Sequence, residues 1–199
     1  MERVVLARHG ESELSVLGRT NGDPAVAVGL TEEGREQARH LGSELAGDPI
    51  DLCVTSEFRR AQQTADLALE GRGVPRLVLA DLNDIRFGEY EGRLLTEYRA
   101  WAHTHGPEEP VPGGGDSRAQ TVARYVAAYT QLLERPEASI VVVAHGLPVR
   151  YVLDAVEGRN PAAAIAHVPY AEPFRLSAAE LQGAVTLLEA WVLEPKWPS

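Results

Sequence analysis

The chain has 199 residues, 44% apolar and 24% charged, a balance that suits one globular domain over 1–199 with a substantial core. Its 29 acidic side chains against 19 Lys and Arg leave a net charge of −10, which argues against nucleic acid as a partner, because nonspecific binding there depends on Lys and Arg neutralising phosphates. A single cysteine excludes an internal disulfide framework, and no apolar stretch reaches the length of a membrane span or a signal segment, so a soluble cytoplasmic protein is expected.

Val4-Val5-Leu6-Ala7 is a short apolar run that stops at Arg8-His9-Gly10-Glu11-Ser12, the pattern of a buried strand delivering its carboxyl end into a polar loop. Thr31-Glu32-Glu33-Gly34 reads as a helix start, followed by Ala38, Leu41 and Leu45 at helical spacing until Gly47 and Pro49 end the run. Leu52-Cys53-Val54 is a second strand, with Cys53 a buried position rather than a nucleophile. Ser56 is placed to cap the next helix, which carries Arg60 and Thr64 on one face.

Leu77-Val78-Leu79 predicts a third strand, before a polar turn around Asp81, Asp84 and Gly88. Leu94 to His105 reads as a weakly patterned helix, and Gly106 to Gly115 as a long loop, since that segment holds three prolines and four glycines. A helix over Ser117–Leu133 follows, with Val122, Val126, Tyr129 and Leu133 on one face. Ile140-Val141-Val142-Val143-Ala144 is the strongest strand of the chain, and it too stops at a histidine, in His145-Gly146. Ala162 to Ala166 is low in complexity, and Ser177 to Trp191 reads as a last amphipathic helix.

Strands alternating with amphipathic helices predict an α/β domain of three layers, a largely parallel sheet flanked by helices. Ligands of such sheets gather at the carboxyl ends of the strands, so Arg8-His9, Ser56 with Arg60, and His145 are expected to converge. An acidic chain that binds an anion must concentrate its cations locally, which singles out Arg8, Arg60 and Arg150.

Arg8-His9-Gly10-Glu11-Ser12 resembles the signature of the histidine phosphatase superfamily, in its phosphoglycerate-mutase-like branch. Ser56 to Ala65 is similar to the second motif of that family, with Arg60 at its invariant arginine and Arg59 at a variable place. Leu82 to Gly92 resembles the acid-bearing segment, Pro112 to Arg124 the glycine-rich loop and its helix, and Val143 to Gly146 the second histidine motif. These five segments run in register from Val4 to about Arg150.

The resemblance implies a phosphomonoester hydrolase with a covalent phosphohistidine on His9. Phosphoryl transfer asks mainly for positioning and charge stabilisation, so Arg8, Arg60 and a protonated His145 would hold the phosphoryl oxygens. One ring nitrogen of His9 would attack while a backbone acceptor holds the other. Gly146 would let the backbone approach closely. Ser12, Ser15, Asn21 and Gly22 fall in segments that bind substrate in the family, although Ser15 stands where asparagine is usual. The proton donor is normally a glutamate, and Asp84 occupies its position, with Glu89 as the alternative donor or a substrate contact. His40, His103, His105 and His167 have no metal-site spacing, and neither metal nor cofactor is called for.

The substrate implied is a small phosphate ester, with Trp101, His103 and His105 as candidates for the mouth of the pocket. Two alternatives stand beside the hydrolase. One is a mutase, which would need more basic residues between Gly92 and Pro112 than Arg93 and Arg99; the other is a noncatalytic phospho-ligand module. A homodimer is left open.

Overall fold

The computed structural model describes residues 1–198. Five strands form one sheet in the order β3-β2-β4-β1-β5: β1 (Arg3–Arg8), β2 (Leu52–Thr55), β3 (Arg76–Val78), β4 (Ser139–Ala144) and β5 (Phe174–Ser177). The β1–β4, β2–β4 and β2–β3 pairs are parallel, and β5 closes the β1 edge antiparallel. Parallel pairing buries both faces of β1, β2 and β4, which is why their sequences are continuous apolar runs rather than alternating ones.

The helices are α1 (Glu13–Val16), α2 (Glu32–Glu44), α3 (Arg59–Ala68), α4 (Leu95–Thr104), α5 (Arg118–Leu133), α6 (Gly146–Val156) and α7 (Ala178–Leu193). Val4, Leu6, Ile140 and Val142 face a core completed from α5, α6 and α7. Val5, Ala7, Cys53, Val141 and Val143 face a smaller one with residues of α2 and α3. The three expected layers are therefore present. Cys53 is buried in the second core, where burial pushes its thiol up to about 11.

Thr31 caps α2 by accepting from the Gly34 amide at 3.0 Å, and Ser117 and Ser177 form capping boxes at α5 and α7. Ser56 does not cap α3. Phe58 holds that position without a side-chain bond, because the Ser56 hydroxyl is turned toward His145.

Three elements escape the sequence pattern: α1, α6 and β5. In Gly146-Leu147-Pro148 the glycine and proline read as breakers, yet Pro148 lies in the first turn of α6, where its missing N–H leaves no helical bond unmade. The edge strand β5 spans only four residues, and Leu176 is its one buried side chain.

Candidate active site

β1 and β4 run side by side with Arg8 opposite Ala144, so His9 and His145 leave the sheet at the same level. The His9 amide donates to the Ala144 carbonyl at 2.9 Å, and the two imidazole rings lie 5.3 Å apart. Ser56 follows the end of β2, and α3 begins three residues later. Arg60 is thus brought to the same sheet end, as the expected convergence requires.

His9 Nδ1 lies 2.7 Å from the Gly10 carbonyl, so it carries the proton and donates. Nε2 is then the free lone pair, and Arg60 Nε donates to it at 3.1 Å. Burial first, then the nearby Arg60 and Arg8, hold His9 well below the ordinary histidine range and keep the ring neutral. A neutral, oriented imidazole facing guanidinium groups is a poised nucleophile for an anion's electrophilic centre.

Arg60 is fixed on several sides. It donates to the Asn21 side-chain oxygen, to the Asn21 carbonyl at 3.1 Å and toward His145 Nδ1 at 3.3 Å, and it lies 4.2 Å above the Phe58 ring. Burial lowers it to about 10, still protonated at neutral pH. Arg59 is exposed, in agreement with Arg60 as the functional position. Arg8 donates to the Val168 carbonyl at 2.9 Å and lies 4.0 Å from the centre of the Tyr170 ring. Ala171, just beyond, takes a left-handed φ of 50° as its amide bonds the Arg8 carbonyl, a strained turn that seats Tyr170 against Arg8.

Since a guanidinium can only donate, His145 Nδ1 accepts from Arg60 and Nε2–H donates to Ser56 Oγ at 2.8 Å. Burial, Arg60 and His9 hold His145 well below the usual range. Burial and these contacts disfavour a second proton, so the expected protonated third donor requires proton uptake together with an incoming dianion.

Asp84 Oδ2 lies 3.8 Å from Arg60 Nη2 and 3.9 Å from His145 Nδ1. Burial raises its pKa against the opposing pull of Arg60, the direction that suits a proton donor. Arg124 donates to the carbonyls of Asn83 and Asp84 at 3.2 and 3.3 Å and pairs with Asp116 at 3.1 Å, clamping the turn near the pocket.

The catalytic pocket, about 300 Å³, is also lined by Ser12, Ser15, Arg19 and Asn21. Ser15 gives its hydroxyl to Ser12, accepting from the Ser12 amide at 2.8 Å and donating to the Ser12 carbonyl at 2.9 Å. Gly146 lines an adjoining compartment at the start of α6.

Several expectations fail. Glu89 is exposed and does not line the pocket, because its amide is tied to the Pro112 carbonyl at 2.8 Å and its backbone turns outward. Gly22 lies behind the site: a Cβ there would meet the Ile85 carbonyl at 2.1 Å, so this glycine permits a close approach rather than a substrate contact. Trp101, His103 and His105 are not at the mouth, and Trp101 stacks on His105 at 4.4 Å instead. Arg150 donates to the His167 carbonyl at 3.0 Å and supports the loop from behind.

Sequence reasoning missed Arg99, His167 and Tyr170, all of which line the catalytic pocket. Only the low-complexity stretch before His167 hinted that an irregular segment would serve as a wall. Among the described residues no group of three or more His, Cys, Asp or Glu is placed to hold a metal ion.

An imidazole held by its own loop, facing fixed guanidinium groups and a partly buried carboxyl group at the carboxyl end of a parallel sheet, is an arrangement suited to phosphoryl transfer. The sequence matches the histidine phosphatase superfamily (branch 1) over residues 4–193. The chain belongs to that superfamily. It is 37% identical over 134 residues to an adenosylcobalamin/α-ribazole phosphatase of Salmonella typhimurium, covering 63% of this chain and 65% of that one, just under two thirds of the relative's length. It is also 37% identical to a 2,3-bisphosphoglycerate-dependent phosphoglycerate mutase of a Methylobacterium species, over 79% of this chain and 82% of the relative. The crystal structure of a putative α-ribazole-5′-P phosphatase from Escherichia coli superimposes with a TM-score of 0.72 at 28% identity, over 88% of this chain and 89% of the other.

Proposed function

We propose that the protein is a phosphomonoester hydrolase in which His9 Nε2 attacks the phosphorus of a small-molecule phosphate. The observation that carries this reading is the pair of bonds on His9, with Nδ1 on the Gly10 carbonyl and the Nε2 lone pair accepting from Arg60, which releases it to the incoming phosphorus. Arg8 and Arg60 hold the nonbridging oxygens, and the buried Arg8 Nε, without a protein partner among the described residues, is a donor that a bound anion satisfies. His145 gains its second proton when the dianion arrives and then donates from Nδ1. Asp84 protonates the departing alkoxide, and as the resulting carboxylate it draws the proton from the water that cleaves the phosphohistidine.

Water is the acceptor in this reading. Between Gly92 and Pro112 the chain forms only α4 and its flanks, with Arg93 and Arg99 as the sole basic residues apart from histidine. The resemblance to α-ribazole phosphatases supports hydrolysis of a phosphate ester, and the resemblance to a mutase makes transfer back to substrate the rival.

The protein works as one domain over 1–199, free in the cytoplasm and without nucleic acid; its acidic charge supports the last point. Among the described residues no helix is long and apolar enough to cross a membrane. Size-exclusion chromatography decides between monomer and homodimer.

Incubating the protein with p-nitrophenyl phosphate and a chelator should release phosphate continuously, and acid quenching should trap acid-labile phosphate on the wild type and not on His9→Ala. Trapping on both variants equally, or phosphate binding without turnover, overturns the reading.

A further inference from the structure

Beside the catalytic pocket lies a second compartment of about 120 Å³, and Arg8, Asp84, Phe87, Leu95, Arg99 and His167 line both. Asp84, the residue read above as donor to the leaving group, lines both, so the compartment adjoins the place of an ester's alcohol part. Its apolar wall includes Leu147 and Ile165. Room for about four waters, at roughly 30 Å³ each, is room for a group of a few heavy atoms.

The back of this compartment is unusual in charge. Arg118, 6% exposed, projects from the first turn of α5 and donates through Nε to the Tyr98 hydroxyl at 2.7 Å and through Nη1 to the Tyr151 hydroxyl. Both partners are neutral phenols, and among the described residues Arg118, like Arg8 and Arg99, makes no ion pair. A guanidinium has five N–H donors and stays protonated in proteins, so the two tyrosines leave donors on the Nη edge unused. Asp84 is the one carboxylate lining the compartment, and its Oδ2 faces Arg60 at 3.8 Å rather than pairing with Arg118. A buried cation whose direct partners are neutral gains from an anion that reaches its unused donors.

We propose that this compartment receives a second anionic group, a carboxylate or a phosphate, carried on the alcohol part of the substrate a few atoms from the ester oxygen. The inference rests on the phosphatase reading, since the group enters with the ester. Arg118 binds it at the back and Arg99 at the rim, with α6, which begins in the same wall, adding the partial positive charge of its first turn. An acidic protein thereby selects an anionic substrate at both ends.

The test uses a matched set with one three-carbon skeleton: 3-phosphoglycerate, glycerol 1,3-bisphosphate and glycerol 3-phosphate, which end in carboxylate, phosphate and hydroxyl. The wild type should prefer at least one of the two anionic members over glycerol 3-phosphate by roughly tenfold or more in kcat/KM, as one charged hydrogen-bond pair supplies. Whichever member is preferred identifies the anion. In Arg118→Met that ratio should collapse to within about threefold, and Arg118→Lys should retain part of it. The ratio is the readout because a mere brace between Tyr98 and Tyr151 would alter all three esters by one common factor. No preference in the wild type, or an unchanged ratio in Arg118→Met, overturns the proposal; should Arg118→Met fail to fold, the wild-type ratio and Arg118→Lys decide it. Calorimetric affinities of the same set for His9→Ala measure the preference without turnover. Silence of the wild type toward p-nitrophenyl phosphate would then overturn the hydrolase reading, while these affinities still decide the compartment.

Discussion

The two walls of the pocket are built in opposite ways. On the His9 side, every charged or nucleophilic group hangs from the end of a sheet strand or the first turn of α3 and is tied to protein partners: His9 to Gly10, Arg60 to Asn21, His145 to Ser56. On the other side, Arg99 comes from α4, while His167 and Tyr170 come from the segment between α6 and β5, much of it without regular structure. In the proposed reading chemistry rests on the first, rigid wall, while the second mixes helix and loop, as expected when binding residues are set over a fixed scaffold.

The steepest test of the rigid wall is Arg60→Ala. Removing a preorganised donor to a transferring phosphoryl group should lower kcat by at least ~10²-fold, whereas Arg59→Ala, on the exposed face of α3, should stay close to wild type. Equal losses in steady-state assays would mean that the wall is not organised around Arg60.

The boundary between the walls runs through Asp84. Asp84→Asn should slow hydrolysis of an alkyl phosphate by ~10²-fold or more and that of p-nitrophenyl phosphate much less, because p-nitrophenolate departs almost unaided. The exposed Glu89 gives Glu89→Gln no comparable effect. In the wild type the alkaline limb of kcat/KM for the alkyl ester reports loss of the Asp84 proton, and it should disappear in Asp84→Asn. A steep leaving-group dependence in Glu89→Gln instead would return the donor role to that residue.

The smallest effect concerns stability. His9 and His145 are held below the ordinary value of about 6.5, so their contribution is fully present above that pH. It is lost as the pH falls from there toward the depressed values, because the unfolded chain takes up protons first. Thermal midpoints should therefore decline between about pH 6.5 and 5, less steeply in His145→Gln. A flat profile would show that the rigid wall does not exclude protons.

The rigid wall was also the legible one. Val4 to Ala7 and Ile140 to Ala144 announce buried strands by composition alone, and each ends on the histidine that the structure brings to the pocket. Asp84 was readable, and preferred as donor, by its place in the acid-bearing segment; Glu89 stayed as the alternative because its tie to Pro112 is a contact between loops. Ser56 was misread for a related reason: its local role as a cap was plausible, and only the arrival of His145 from 89 residues away claims its hydroxyl. Arg118 and Tyr170 gave no local sign, since their meaning lies in partners on other elements.

The meeting of Gly10 and Gly34 bears on how the enzyme moves. A Cβ on Gly10 would strike the Gly34 carbonyl at 2.4 Å, and one on Gly34 the Glu11 carbonyl at 2.0 Å, so the loop after the nucleophile and the first turn of α2 are in backbone contact. The Gly10 amide is held as well, by Thr64 Oγ1 at 2.9 Å. The loop cannot recoil when His9 takes up a phosphoryl group without carrying two helices with it. A side chain at either glycine would therefore displace the His9 loop from α2 before any phosphoryl group arrives.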